Sequence, residues 1–188
     1  MAKVYVFLAD GFEDIEALAP VDILRRGGAE VVTVSVMSDQ VVRSAHDVQV
    51  VADTLFNDLP DLADADLLVL PGGMPGAANL YAHEGLRAAI LSHNRSQRRI
   101  AAICAAPAVV LAPLGILDGK QATCYPGFER AFTNTTYTAD LVTVDGLVTT
   151  ACGPGAAMAF GYELLRQLGA ADAAEALKEG MMYNRQFA

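Results

Sequence analysis

Short apolar runs alternate along the chain with longer segments in which apolar residues recur at helical spacing. Three runs, at residues 4–8, 67–70 and 100–103, are apolar throughout. Continuous runs of this length are typical of parallel strands buried on both faces. After the first run, acidic residues at 13–14 and the Gly27-Gly28 pair mark the start and the end of a helix. The pattern predicts an α/β fold with helices on both faces of a mostly parallel sheet.

The rest of the pattern adds elements to a single domain, residues 1–188. A strand directly after the first helix completes a strand–helix–strand unit, whose crossover is almost always right-handed. The Asp145-Gly146 dipeptide between two β-rich runs predicts a hairpin. The further predicted elements are a strand at 30–36, a small antiparallel excursion at 38–53, a surface helix or loop at 58–66, an amphipathic helix at 84–99, the hairpin at 141–151, a helix ending at 168 and a last helix at 172–181.

Composition narrows the class of protein. Hydrophobic residues make up 53% of the 188 residues and charged residues 19%, which excludes disorder. The formal net charge of -9 repels phosphate backbones and anionic lipids, so we expect neither nucleic acid nor a membrane as a partner. The uncharged stretch 100–117 approaches the length of a membrane span, but Pro107, Pro113 and Gly115 interrupt it. A strand followed by a buried helix explains that stretch better.

The chain has three cysteines, Cys104, Cys124 and Cys152, which are too few for a disulfide scaffold. An odd number leaves at least one thiol free within a chain, as suits a reducing compartment. The apolar residues that follow Lys3 are too few for a secretory signal. We therefore expect a cytoplasmic protein.

Cys104 stands where the strand at 100–103 turns into a predicted helix. A side chain at such a corner projects over the sheet edge, and the helix N-terminus offers backbone N–H groups and a positive dipole end, which favour a thiolate. Pro107 suits the first helical turn because it has no N–H to lose. The alternative is an inert core thiol, since free cysteine is among the most buried residue types. The corner favours a nucleophile.

Two more features follow strands whose ends a parallel sheet brings to one edge. Glu16 lies in an otherwise apolar part of the first helix, where a protonated carboxyl can donate to a thiolate, so that the two groups titrate as a pair. Gly72-Gly73 follows the strand at 67–70, and glycines there let backbone amides approach an oxyanion. The same dipeptide also marks ordinary tight turns. With Cys104, these residues form a candidate site that needs no histidine.

The histidines have ordinary explanations. His46 is expected in a solvated loop, and His83 and His93 on the surface, beside and on the helix at 84–99. No metal site is predicted, because a site built on the three cysteines would lack a fourth ligand.

Cys124 and Cys152 both lie near predicted strand ends, so either is a candidate resolving partner for an oxidised Cys104. Cys124 is the better candidate, because the hairpin is expected to carry Cys152 to the far side of the sheet. We expect oxidation of Cys104 to a sulfinate, held by the Glu16 proton, in preference to a disulfide.

Several motifs together identify a family. The segments are 10–16 (DGFEDIE), 70–73 (LPGG) and 101–107 (AAICAAP), with Asp118-Gly119, 125–127 (YPG) and 153–155 (GPG) in the expected order. Over nearly its whole length the chain resembles the ThiJ/PfpI superfamily, in the branch of the parkinsonism-associated protein deglycase.

The resemblance implies a flavodoxin-like, three-layer α/β sandwich with a cysteine on a nucleophile elbow. It implies Cys104 as nucleophile, Glu16 as its protonated partner, and oxyanion contacts from Gly72, Gly73 and Ala105. Protease-like members carry a histidine where this chain has Ala105, which argues against peptidase chemistry.

At the pocket, the human-like branch carries a histidine before a proline. Here Tyr125 precedes Pro126, so Tyr125 is the expected substrate contact and histidine-assisted proton transfer is not expected.

The resemblance also implies a homodimer. The first helix supports association, since Ile15, Leu18 and Ile23 make it richer in apolar residues than one buried face requires.

These features lead to a hypothesis of an enzyme without cofactors. Cys104 would attack a 2-oxoaldehyde such as methylglyoxal, or its early adduct with protein amines, and Glu16 would shuttle protons. The alternative is a sensor of oxidative stress or a redox-controlled chaperone that uses oxidation of the same cysteine. A binding module without chemistry is a third possibility, but residues 9–13 carry acids where a nucleotide-binding loop would hold phosphate.

Overall fold

The structure, a computed structural model, describes residues 1–59 and 61–187. The strands are β1 (Lys3–Leu8), β2 (Glu30–Ser35), β3 (Val41–Arg43), β4 (Gln49–Val51), β5 (Thr54–Leu55), β6 (Leu67–Leu70), β7 (Arg99–Ile103), β8 (Gln121–Ala122), β9 (Thr136–Tyr137), β10 (Val142–Asp145) and β11 (Val148–Ala151). The α-helices are α1 (Asp14–Arg26), α2 (Gly76–Ala82), α3 (Glu84–Arg95), α4 (Ala157–Gln167) and α5 (Ala171–Gly180). Within the described ranges, no helix combines the length and apolar character needed to cross a membrane.

A central sheet organises the fold. In the part of the chain that the structure describes, it has seven strands in the order β10-β11-β7-β6-β1-β2-β5, and every pair except β10 with β11 is parallel. The apolar runs predicted as buried strands are β1, β6 and β7, which lie side by side at its centre. All four residues of β6 are buried, as a strand covered on both faces requires. The predicted flavodoxin-like α/β fold is confirmed.

Helix α1 packs closely against α4. A Cβ on Gly161 of α4 would lie 2.8 Å from the Cδ1 atom of Ile23 and 3.2 Å from the Cα atom of Pro20, so glycine allows this close approach. Ile23 is fully buried within the chain, so it does not support association, which was argued in part from this residue. Ile15 and Leu18 are exposed, at 52% and 38%. Association into a dimer stays a prediction.

The predicted small β excursion is an antiparallel ribbon of β3 and β4. A bridge between Phe12 and Ser44, with the Ala45 N–H donating to the Phe12 carbonyl at 2.7 Å, ties this ribbon to the loop after β1. The predicted hairpin is also present as β10 and β11. Gly146 in its turn has a φ of 62°, a conformation that glycine adopts without steric cost.

One of the two histidines at α3, His93, departs from the prediction. His93 is only 5% exposed, and its Nε2 atom lies 3.0 Å from the Arg99 carbonyl oxygen. Burial lowers the pKa of His93, so the ring is neutral and Nε2–H donates this bond. His83 is half-buried and accepts the Leu86 N–H at the start of α3. The helix also ends at Arg95 rather than at residue 99, because the chain must turn before β7.

The helix after the corner is shorter than expected. Pro107–Leu111 forms one π-helical turn, in which the Ala112 N–H donates to the Pro107 carbonyl at 2.9 Å. Turns follow, since Pro113 has no N–H to continue a helix. This π-helical turn, which is wider than an α-helical turn, begins three residues after Cys104.

Candidate active site

The site lies at one edge of the sheet, where β1, β6 and β7 end. These strands are parallel neighbours, so the segments that follow them meet at the same edge. Glu16 comes from the first turn of α1, Gly72-Gly73 from the loop after β6, and Cys104 from the residue after β7. The structure therefore brings together residues that are far apart in sequence.

Cys104 occupies a sharp corner of the backbone. Its φ is 64°, in the left-handed region that side chains other than glycine seldom adopt. Two hydrogen bonds hold this conformation: the Cys104 N–H donates to the Ala151 carbonyl at 2.8 Å, and the Cys104 carbonyl accepts the Tyr125 N–H at 2.8 Å. The residue is 8% exposed. Strained backbone that its surroundings enforce is concentrated at functional sites.

Glu16 is a fully buried carboxyl. Its Oε2 atom accepts the Gly72 N–H at 3.0 Å. Its Oε1 atom is buried and has no hydrogen-bond partner among the described residues. An ionised carboxylate would leave that oxygen unsatisfied, whereas a protonated one can place an O–H there. The surroundings thus favour the neutral acid.

The electrostatics of Glu16 agree with this geometry. Burial raises the pKa of Glu16 to about 7, and the negative charge of Glu13 acts in the same direction. The hydrogen bond from the Gly72 N–H and an interaction with the nearby Cys104 thiol act in the opposite direction, with the thiol having the larger effect.

Cys104 titrates together with Glu16. Burial raises the pKa of Cys104, and a charge on Glu16 raises it further, while the N–H groups of Gly73 and Ala105 oppose the shift. Two acids that share a buried site oppose each other's ionisation. The pair therefore keeps one proton at neutral pH, rather than Cys104 behaving as an independent thiol of low pKa.

The glycines allow this close assembly. A Cβ on Gly72 would lie 2.6 Å from Oε2 of Glu16 and 2.7 Å from Cβ of Cys104. Gly73 has a φ of +85°, and a Cβ there would lie 2.4 Å from the Glu13 nitrogen. Position 72 has no room for a side chain, and position 73 also needs a backbone conformation that suits glycine.

Gly72→Ala is expected to separate the carboxyl from the thiol. The added methyl group overlaps two rigid neighbours, so we expect a loss of about 1 to 3 kcal/mol in the free energy of unfolding and slower alkylation of Cys104. Denaturant titration and timed iodoacetamide labelling measure the two effects. Gly155→Ala is the matched control, since a Cβ on Gly155 meets nothing within 4 Å. Equal labelling of both variants and the wild type would contradict the expected role of Gly72.

The remaining predicted residues adjoin Cys104. Ala105 is 2% exposed and directs its backbone N–H toward the sulfur. Tyr125 is bonded through its N–H to the Cys104 carbonyl, but its side chain is 46% exposed. All the residues proposed for the site from the sequence thus lie around one thiol. Their roles stay predictions.

Glu13 was interpreted from the sequence only as an acid at a helix start. In the structure, it is the N-cap of α1, and its Oε2 atom accepts the Glu16 N–H at 2.8 Å. Its charge also raises the pKa of Glu16. The three-residue spacing from an N-cap acceptor to a glutamate resembles a capping box and would have indicated this contact.

The structure corrects the placement of the other cysteines. β11 is an inner strand paired with β7, with Ala151 opposite Ile103, so Cys152 ends at the same edge as Cys104. The prediction that the hairpin carries Cys152 to the far side was wrong, because β10 takes the outer position. Cys124 is fully buried, and burial raises its pKa to about 12, with the charge of Glu129 acting in the same direction.

A polar cluster stands beside the site at the start of α1. Glu13, Asp14 and His46 bring one ligand atom each to within 4.8 Å of one another. His46 Nδ1 lies 2.8 Å from Asp14 Oδ2, and the hydrogen bond to Asp14 raises the pKa of His46. His46 is exposed, as predicted, and this ion pair accounts for its position.

Comparison with known proteins agrees with the fold and the motifs. The model of the DJ-1/PfpI family matches residues 2–167. Protein DJ-1 homolog B of Arabidopsis thaliana is 41% identical over 167 residues, which cover 88% of this chain and 38% of that protein. The chain thus spans about two fifths of the length of the Arabidopsis homologs B and A, at 38% and 42%.

Other relatives align over nearly their full length. The glutathione-independent glyoxalase DJ-1 of Schizosaccharomyces pombe is 30% identical over 182 residues, 92% of this chain and 94% of that protein. The structure of oxidized Toxoplasma gondii DJ-1 has a TM-score of 0.93 at 36% identity and covers 97% of this chain and 98% of its own. The protein described here is a member of the DJ-1/PfpI family.

Proposed function

We propose that this protein is a cofactor-independent enzyme that uses Cys104 to convert 2-oxoaldehydes such as methylglyoxal, or their early adducts with protein amines, into 2-hydroxy acids. The observation that carries the proposal is the buried Glu16 carboxyl, held by the Gly72 N–H at 3.0 Å and interacting with the Cys104 thiol. The S. pombe relative named as a glutathione-independent glyoxalase supports this substrate class.

In the proposed reaction, the Cys104 thiolate adds to the aldehyde carbon and forms a C–S bond. The Gly73 and Ala105 N–H groups interact with the sulfur, and in this proposal they stabilise the alkoxide that forms beside it. With an amine adduct, the thiolate displaces the amine and gives the same hemithioacetal.

Glu16 then serves as the proton shuttle. Its protonated carboxyl first gives its proton to the alkoxide, or to the departing amine, and becomes a carboxylate. The carboxylate then removes the proton from the former aldehyde carbon and returns it to the neighbouring ketone carbon, which converts the hemithioacetal into the thioester of a 2-hydroxy acid. Water cleaves the thioester, releases the acid and restores the thiol. The balance is addition of one water to the oxoaldehyde, so no external oxidant or reductant is needed. A carboxyl with a pKa near 7 suits transfer in both directions.

The test is product formation. The protein is incubated with methylglyoxal, and lactate is measured by NMR, with the Cys104→Ala variant as the blank and Cys152→Ala as the thiol control. One parallel sample contains a preformed adduct of methylglyoxal with N-acetyl-lysine. Another contains a peptide amide as the substrate. Lactate above the blank supports the proposal, and release of amine from the adduct assigns deglycase activity. Equal lactate in the wild type and the blank would contradict it.

A second candidate function is redox sensing through Cys104, including redox-controlled chaperone action. The oxidized T. gondii relative supports it, because that structure matches this chain at a TM-score of 0.93. A sulfinate at Cys104 would find the Gly73 and Ala105 N–H groups and the Glu16 proton as donors. The site thus accommodates the oxidised form as well as the alkoxide.

Hydrogen peroxide is expected to oxidise Cys104 to the sulfinate, with two equivalents of peroxide consumed per thiolate. Intact-mass measurement should show a gain of two oxygen atoms that is lost in Cys104→Ala. Cys152 is the better candidate for a competing disulfide, since it ends beside Cys104 while Cys124 is fully buried. A loss of two hydrogens in the wild type but not in Cys152→Ala would show that the disulfide forms instead of the sulfinate.

A further inference from the structure

Tyr125 is placed at the entrance to the site by its backbone. Its N–H donates to the carbonyl of Cys104 at 2.8 Å, so residue 125 is fixed beside the cysteine. Cys104 is 8% exposed and Tyr125 is 46% exposed. A residue with a half-exposed aromatic ring is thus tied by its backbone to a cysteine that solvent barely reaches.

Local packing fixes the orientation of the Tyr125 ring. Phe128 meets it edge to face, with ring centroids 6.3 Å apart and an interplanar angle of 79°. On another side, a Cβ on Gly153 would lie 3.0 Å from Cδ2 of Tyr125, so the glycine leaves room for the ring. The Phe128 N–H also donates to the Tyr125 carbonyl at 3.1 Å. A ring held in this way is preorganised for contact with a ligand.

Met74 provides a second exposed apolar side chain, in the loop that brings Gly73 to the site. It follows Gly73, whose N–H approaches the Cys104 sulfur, and is 50% exposed. Exposed methionine and aromatic side chains are typical of surfaces that contact apolar ligand groups. We define Tyr125, Phe128 and Met74 as the apolar rim.

The negative charges of Glu13 and Glu129 act on groups beside the rim. Glu13 raises the pKa of the Glu16 carboxyl, and Glu129 raises the pKa of the Cys124 thiol next to Tyr125. An aldehyde that carries a carboxylate or a phosphate would approach against this field, whereas a neutral apolar substituent would not.

We propose that the apolar rim selects 2-oxoaldehydes with a neutral apolar substituent, and an aryl substituent above methyl, with the Tyr125 ring as the main specificity determinant. This inference rests on the proposed function, since it names the substrate class of the same site. The ring itself, rather than the phenol hydroxyl, provides the contact. Position 125 thus sets substrate choice and not proton transfer.

The first test compares phenylglyoxal with methylglyoxal. The ratio of their kcat/KM values is expected to fall about tenfold in Tyr125→Ala and to stay near the wild-type ratio in Tyr125→Phe. Phe132→Ala is the matched control, because Phe132 belongs to the same segment but packs on Tyr137 with centroids 6.3 Å apart. An unchanged ratio in Tyr125→Ala, or a ratio lost in Tyr125→Phe, would overturn the proposal.

The second test does not need turnover. Phenacyl bromide and bromoacetone are halo-ketones that carry the same phenyl and methyl groups, and both alkylate thiols. The rate of each reagent at Cys104 is divided by its rate with N-acetylcysteine, which corrects for intrinsic reactivity. The corrected rates should favour phenacyl bromide in the wild type and in Tyr125→Phe. This preference should be lost in Tyr125→Ala. If no lactate forms but the wild type still prefers phenacyl bromide, the proposed function is rejected and the role of the apolar rim is retained. Equal preference in all variants rejects the rim.

Discussion

Glu16→Gln is expected to slow alkylation of Cys104 at pH 7 by about tenfold or more, because one unit of thiol pKa changes the thiolate fraction tenfold. In the wild type, the pair loses its first proton near the pKa of Glu16, about 7, and the remaining proton can reside on the carboxyl while the sulfur is charged. Glutamine has a similar shape and removes the opposing charge of an ionised Glu16. It also lacks the carboxyl O–H that can donate to the thiolate and cannot accept the thiol proton, and we expect this loss to dominate.

The pH profile separates this from a packing effect. The wild-type rate of iodoacetamide labelling, read by mass spectrometry, should rise through pH 7, and the variant rate should rise only well above pH 9. Glu163→Gln serves as a control, since Glu163 pairs with Arg166 on the surface of α4. Identical profiles for the wild type and Glu16→Gln would show that the two groups do not share a proton.

Glu16→Gln should also change how stability depends on pH. The folded pKa of Glu16 is raised from 4.5 to about 7, so between these values the folded state binds more protons than the unfolded state. Wild-type stability therefore falls as pH rises through this window, and the loss is complete above pH 7. The shift corresponds to roughly 3 kcal/mol. From pH 4 to pH 8, the free energy of unfolding of the variant should gain about that amount relative to the wild type.

Urea titration at a series of pH values measures this difference. Glu163→Gln should behave in the opposite way. Burial would raise the pKa of Glu163, but hydrogen bonds from Arg166 and Gln167 outweigh it and lower the pKa. That carboxylate stabilises the wild type at higher pH, and its loss should cost stability there. A parallel pH dependence in Glu16→Gln and the wild type would mean that the buried carboxyl titrates normally.

The parts of the fold that were predictable are those in which local pattern and burial agree. The run at residues 67–70 is buried along its length as β6, and the acidic start and the glycine end of α1 lie where the sequence placed them. The sharp turn at Cys104 was also predictable. An apolar strand that is followed within four residues by a proline suited to a first helical turn must change direction between the two. The family motifs added Ala105 and Tyr125.

Strand order and helix faces were less accessible. The position of Cys152 depends on which strand of the hairpin pairs with β7, and neither spacing nor composition encodes that choice. For His93 a signal existed, because Leu86, Ile90 and His93 recur at helical spacing on the buried face of α3. His93 was predicted on the surface because histidine is polar, although its helical spacing from Leu86 and Ile90 indicated burial. The coupled titration of Glu16 and Cys104 was predicted from the sequence, whereas the unpartnered Oε1 atom of Glu16 and the effect of Glu13 on its pKa required the three-dimensional structure.

The donors aimed at the Cys104 sulfur belong to the main chain of residues 73 and 105. Ala105 is only 2% exposed, so a substitution there must fit a tightly packed position. Such a substitution replaces the side chain and leaves the backbone N–H in place. Descendants of one ancestral sequence can therefore vary the group next to the nucleophile while inheriting the anion-binding half of the site unchanged. This separation gives an evolutionary route by which one fold acquires different cysteine chemistries through single codon changes.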